Sequence, residues 1–208
     1  MQNASFISAV TLEAIARKAI KDYDPSLLQG CPRAIPVEDM IEKQYGLSIE
    51  YQYIRNNGRI LGATVFEDDY VPIFENEIGK YNLVKFKRGT IILDASLLQC
   101  HGDGRLRFTC AHELAHWLIH QKIYSGTDNN VAEMAKTVKK SIDTNPAIEW
   151  QADKLSSSIL MPNGQVKIAF YRNKDKTQDI IKALAEQFGV SKQAMKIKLI
   201  ERKLITKP

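Results

Sequence analysis

Residues 105–120 read RLRFTCAHELAHWLIH, a run with apolar residues at helical spacing, no helix breaker, and two histidines four positions apart. On an α-helix that spacing separates His112 and His116 by about 40° around the axis and about 6 Å along it, so both imidazoles face one point. Two neutral imidazoles on one face suit a divalent ion such as Zn2+, which binds histidine nitrogen at about 2.0–2.1 Å. Glu113 follows the first histidine directly. Its carboxylate can lie beside such an ion and take a proton from a water held there, the role of a general base. The surrounding segment reads as an amphipathic helix, so this geometry can be realised. The competing reading is a coincidental pair of half-buried histidines.

A catalytic zinc needs a third protein ligand and an open position. His120 continues the four-residue spacing, but it lies about 12 Å along the helix from His112, too far for both to bind one ion. It reads as a structural or orienting residue near the helix end. A histidine ten positions after the first would fall on Lys122. Glu149 is the better third ligand. Asn145-Pro146 supplies an N-cap and a first helical residue, so Glu149 sits in the first turns of a new helix that should end near Met161-Pro162. Asp153 is one turn further on the same face and can accept the outer N–H of a ligand histidine, fixing the ring and raising its basicity. Ala152 is small enough to let this helix approach the histidine helix closely. An ExxxD alone is weak, because two acids on a helix are often only a solvated face. After an HExxH it matches the arrangement of gluzincin metallopeptidases.

Two blocks resemble the ImmA/IrrE family of zinc metallopeptidases. Arg107 to His116, RFTCAHELAH, is similar to the family's RFTxAHELxH. Glu149 to Pro162, EWQADKLSSSILMP, is similar to its ExxAxxFAxxLLMP, with Leu155 at the Phe position and Ser156 and Ser157 at small positions. The ending LAEQFGVSKQAMKIKLIERKLI also resembles the family's C-terminal stretch. The resemblance covers residues 85–205 clearly and the N-terminal part only in layout. It implies His112, His116 and Glu149 as zinc ligands and Glu113 as general base. It further implies a cytoplasmic bacterial peptidase that cleaves a helix-turn-helix transcriptional repressor controlling a mobile element or a stress regulon. The oxyanion-stabilising group is not fixed by these motifs; Tyr124, Arg105 and Arg107 are the nearby candidates.

The remaining pattern gives the architecture. Val10, Ile15, Ala19 and Ile20 mark a first amphipathic helix, broken at Asp24-Pro25, and a short second helix runs from Val37 to Tyr45 before Gly46. LSIEYQYI, ILGATVF, YVPIF, YNLVKF and TIILD are short β-rich runs separated by turns such as Asn56-Asn57-Gly58 and Arg88-Gly89. After the histidine helix, a polar stretch from Ser125 to Asn130 leads into weakly helical residues. The fold class is α+β: a small, mostly antiparallel sheet packed against zinc-binding helices, with a C-terminal helical hairpin of helix-turn-helix type. The expected division is a zinc metallopeptidase domain over 1–162 and a basic helical extension over 163–208 packed on it.

Composition adds three constraints. No apolar run approaches the roughly 18 residues that span a bilayer, and the first residues read as an amphipathic helix, not a secretory leader. Cys31, Cys100 and Cys110 are odd in number and unpaired in spacing, so plain thiols in a reducing cytoplasm are expected. The formal charge of +5 belongs to the tail, where residues 163–208 hold 11 Lys/Arg against 4 Asp/Glu. That tail can meet an acidic partner or nucleic acid, or be a solvated helix face.

Two function classes follow. One is an endopeptidase whose substrate lies extended along a sheet edge beside the cleft. The other is a DNA-binding regulator with a structural or sensory metal site, read through Lys192, Gln193, Lys196, Lys198 and Arg202 of the last helix. Ala185, the Gly189 turn and Ser191 as N-cap fit a helix-turn-helix. Leu184, Phe188, Met195, Leu199 and Leu204 equally fit a hairpin packed on the peptidase core, and their recurrence through both helices favours packing. A fourth position open to water marks the enzyme. Closure by another protein ligand, with His101 and Cys110 the candidates, marks the regulator.

Overall fold

The computed structural model describes residues 6–54, 60–99, 104–124, 145–175 and 179–206. The expected turn at Asn56-Asn57-Gly58, His101, Cys100 and the stretch from Ser125 to Asn130 with the residues after it lie outside these. Helix α1 (Ala9–Tyr23) starts at Ser8, whose side chain accepts from the Thr11 N–H, and buries Leu12, Ala16, Ala19 and Ile20. Val10, expected on the apolar face, is exposed. Asp24 then caps a 3-10 turn, Pro25–Leu28. Helix α2 (Val37–Asp39) continues as a π-helical segment, Met40–Gln44, and stops at Gly46, which adopts φ 63°.

Among the described residues five strands follow: β1 (Ser48–Gln52), β2 (Gly62–Thr64), β3 (Asp69–Glu75), β4 (Lys80–Phe86) and β5 (Thr90–Asp94). They do not form one sheet. β1-β5-β2 is a mixed three-stranded sheet, with β1 parallel and β2 antiparallel to β5, while β3 and β4 pair as a separate antiparallel ribbon. The strands split into two sheets where one small sheet was expected, and their pairing is mostly antiparallel except where β1 runs parallel to β5. β5 inserts between β1 and β2, and its five residues are all buried. Such continuous burial is typical of a central strand with both faces covered. Ile91 and Leu93 join the main core on one face, and Ile92 joins a smaller cluster under the ribbon with Val71, Ile73 and Phe86 on the other.

Helices α3 (Arg105–Tyr124) and α4 (Pro146–Leu160) pack on each other, and α1 packs on α4. Asn145 caps α4 as expected, its side chain accepting from the Ala147 N–H at 3.0 Å. Helices α5 (Asn163–Asn173), α6 (Ile180–Phe188) and α7 (Lys192–Glu201) complete the chain. The α6–α7 turn is a left-handed Gly189 at φ 62° followed by Ser191, which caps α7 by accepting from the Ala194 N–H. Leu184, Phe188, Met195 and Leu199 are fully buried in the same cluster as α1, α3 and α4.

Lys198 differs from the sequence expectation. It is only 2% exposed, on the buried face of α7 beside Leu199, so it does not belong to a solvent-facing DNA-reading surface. Its long apolar stem lets a lysine fill such a position. Burial, then the nearby Lys154 charge, pushes its ammonium down to about 8. Replacing Leu199 with Ala is expected to destabilise the protein by about 2–5 kcal/mol, the cost of truncating a core leucine. Exchanging Lys192 and Lys196 for Gln should change stability by less than about 0.5 kcal/mol. Denaturant unfolding of both variants checks this; an unchanged midpoint for Leu199→Ala would show that the tail does not share the core.

No helix among the described residues is long and apolar enough to cross a membrane.

Candidate metal centre

α3 carries His112 and His116 on the face turned toward α4, and Glu149 comes to them from the first turn of α4. Ala152 of α4 is fully buried in the core cluster to which α3 also contributes. One ligand atom from each of His112, His116 and Glu149 lies within 4.8 Å of the others. His112 Nε2 is 3.0 Å from His116 Nε2 and 3.2 Å from Glu149 Oε2. His116 Nε2 is 3.4 Å from Glu149 Oε1, a buried oxygen without a hydrogen-bond partner.

The outer nitrogens explain why these atoms converge. His112 Nδ1 lies 3.0 Å from Asp153 Oδ1, and a carboxylate accepts, so His112 donates from Nδ1 and directs Nε2 inward. Three electron-pair donors then face one point, an arrangement that a cation relieves. Without a metal, a proton on His112 serves. Burial opposes that charge, but hydrogen bonds with Asp153 and Glu149 and the charges of Glu113 and Glu149 outweigh it, pushing His112 up to about 10. Burial likewise works against the Glu149 carboxylate, yet the neighbouring His112 and His116 imidazoles hold it well below the usual carboxylate range. The residues therefore fit a divalent metal.

Glu113 is buried against the edge strand β2. The Thr64 hydroxyl donates to Glu113 Oε2 at 2.8 Å and also lies 3.1 Å from the Glu113 carbonyl oxygen. A methyl group on Gly62 would come within 2.6 Å of Glu113 Oε1 and 2.8 Å of both Glu113 Cγ and Thr109 Cγ2. Gly62 and Thr64 were not foreseen as site residues. A glycine inside the run ILGATVF was the available signal, since glycine in a strand often marks a close approach. Gly62→Ala is expected to displace the Glu113 carboxylate and lower peptidase turnover by about 100-fold, the scale of an ångström-level misplacement. Metal content should be retained, because none of the three atoms nearest the new methyl belongs to a ligand side chain. Turnover within a few-fold of wild type would show that Glu113 does not need this clearance.

Of the three candidates for oxyanion stabilisation, the structure brings only Tyr124 near the cluster. Its ring lies 6.3 Å from that of His116 and stacks on Phe66 at 4.9 Å. Burial, then the Glu149 and Glu113 charges, pushes the phenol up to about 12, so it stays a hydrogen-bond donor. Arg107 is used elsewhere: it donates to Gly189 O at 3.1 Å and Ile35 O at 2.5 Å and pairs with Glu38 at 3.3 Å, tying the tail turn to the N-terminal segment. Arg105 opens α3, exposed and about 10 Å along the helix from His112. Cys110 is buried in the core and is not one of the cluster's residues, and burial pushes its thiol up to about 12, so it is no candidate for closure. His120 is buried beside His116, and burial, followed by the neighbouring His116 imidazole, lowers it to about 4, keeping it neutral.

No match to a curated protein is found. A family model, Peptidase_M78, the IrrE N-terminal-like domain, matches residues 66–199, which takes in both motif blocks, the strands β3 to β5 and most of the tail hairpin. The HExxH helix, the capped helix that brings Glu149 to it and this match over most of the sequence agree: the chain belongs to the Peptidase_M78 family of IrrE-like peptidase domains.

Proposed function

We propose that this chain is a zinc-dependent endopeptidase of the cytoplasm that cleaves a helix-turn-helix transcriptional repressor. In this reading residues 1–162 form the peptidase unit and 163–208 its packed basic extension. The observation that carries the reading is the convergence of His112, His116 and Glu149 within 4.8 Å, with Glu113 enclosed beside them. Bound there, zinc would supply a Lewis acid for the scissile carbonyl and its attacking water. Glu113 accepts the water's proton and passes it to the leaving nitrogen. Thr64 fixes the orientation of that carboxylate, and Asp153 fixes the ring of His112. The protonated Tyr124 hydroxyl is the donor for the developing oxyanion.

β2 supports a substrate path. It is an edge strand of its sheet, and its residues Gly62 and Thr64 touch Glu113. An extended peptide that adds to this edge brings a backbone carbonyl to the general base. The burial of Lys198 and the tail's apolar contacts weigh against a DNA-reading role for α7.

The test is co-expression with candidate helix-turn-helix repressors from the same genome, followed by mass spectrometry. Wild type should convert one of them into two fragments, and His116→Ala should leave it whole. Intact repressors throughout with zinc-loaded wild type would remove the proposed substrate.

A further inference from the structure

We infer that His120 and Gln151 form a hydrogen-bonded relay that decides which nitrogen of His116 is free to bind a metal. The inference rests on the proposed metal site. The two histidines of that site are oriented differently. His112 has a carboxylate, Asp153, on its outer nitrogen. His116 has another imidazole there: His116 Nδ1 lies 2.9 Å from His120 Nδ1. Two facing ring nitrogens share one proton, so this contact alone does not fix which ring donates.

Gln151 breaks the tie from α4. Its Oε1 lies 3.2 Å from His120 Nε2. An amide oxygen only accepts, so His120 carries its proton on Nε2. A neutral His120 then offers a lone pair at Nδ1, and His116 must donate from Nδ1. That leaves His116 Nε2 as a lone pair aimed at the cluster with His112 and Glu149. If the amide were reversed, every proton in the chain would shift one position, and His116 would present an N–H to the metal. His120 and Gln151 are each 1% exposed, so solvent has little room to take over either part. The pair thus does for His116 what Asp153 does for His112, without adding a charge. Both are positioning residues, since neither is among the cluster's ligand atoms.

His120→Leu and Gln151→Leu each remove an acceptor. His120→Asn keeps one, because its Oδ1 is as many bonds from the backbone as histidine Nδ1. Zinc affinity is read on stripped protein by competition with a chelating indicator. The two leucine variants should bind zinc about 10–100-fold more weakly than wild type, as other losses of a ligand's hydrogen-bond partner do. His120→Asn should recover most of that loss. In metal-free samples, long-range 1H–15N spectra should show His116 protonated at Nδ1 in wild type and His120→Asn, and a tautomer mixture in the leucine variants. Wild-type affinity in both leucine variants would overturn the relay while leaving the metal site intact. His120→Asn as weak as His120→Leu would also overturn it, assigning His120 to packing. Wild type that takes up no zinc would instead overturn the metal site itself.

Discussion

Glu149→Ala is expected to abolish stoichiometric zinc and, with it, all metal-dependent cleavage. Zinc in an open catalytic site is held by three protein ligands, and two imidazoles four residues apart on one helix do not hold it tightly alone. Glu149 is the only carboxylate in the ligand cluster found among the described residues, and it is the one member of that cluster that α4 supplies. Its removal also takes away the negative charge that draws a cation to His112 and His116. The fold should survive. Glu149 is partly exposed, and the α4 cap made by Asn145 and Ala147 does not involve its side chain. Elemental analysis after dialysis against zinc checks this, with His112→Ala and His116→Ala as parallel losses. Full zinc at unchanged affinity in Glu149→Ala would mean that another residue is the third ligand.

Glu113→Gln separates the metal from the chemistry. The amide has nearly the shape of the carboxylate and can keep the contact with the Thr64 hydroxyl, so β2 and α3 should stay packed. Glu113 is not among the three clustered ligand atoms, so zinc should bind normally. The amide cannot accept the water's proton, and cleavage should fall by about 100- to 10,000-fold, the usual contribution of a positioned acid–base group. Undiminished turnover by a zinc-loaded Glu113→Gln protein would remove Glu113 from the general-base role.

The features legible in the sequence are those written within one helix. The four-residue spacing of His112 and His116, the Asn145-Pro146 helix start and the one-turn step from Glu149 to Asp153 are set by local geometry, and each appears in the structure. The meeting of the two helices was signalled only by small Ala152 and by the motif order. What stayed hidden depends on partners far apart in sequence. β1 and β5 pair in parallel across an intervening ribbon, a contact with no turn signature, so the strand runs read as one antiparallel sheet. Thr64 reaches Glu113 across 49 residues, and Gln151 reaches His120 across 31.

Lys198 shows the limit of reading charge from composition. Its position three residues after Met195 and one before Leu199 lies on the buried face of α7, and periodicity could have shown this. Counting it among basic tail residues put it on the wrong side of the helix. Val10 is the converse case, an apolar residue at an expected core position that the rotation of α1 leaves exposed.

The most direct test of a catalytic rather than structural metal is X-ray absorption at the zinc edge of the loaded protein. The account predicts two imidazole nitrogens at about 2.0–2.1 Å with oxygen filling the other positions, from Glu149 and exchangeable solvent. A sulfur ligand at about 2.3 Å or a third imidazole such as His101 would mean a closed site, and would contradict the peptidase reading in favour of a structural metal.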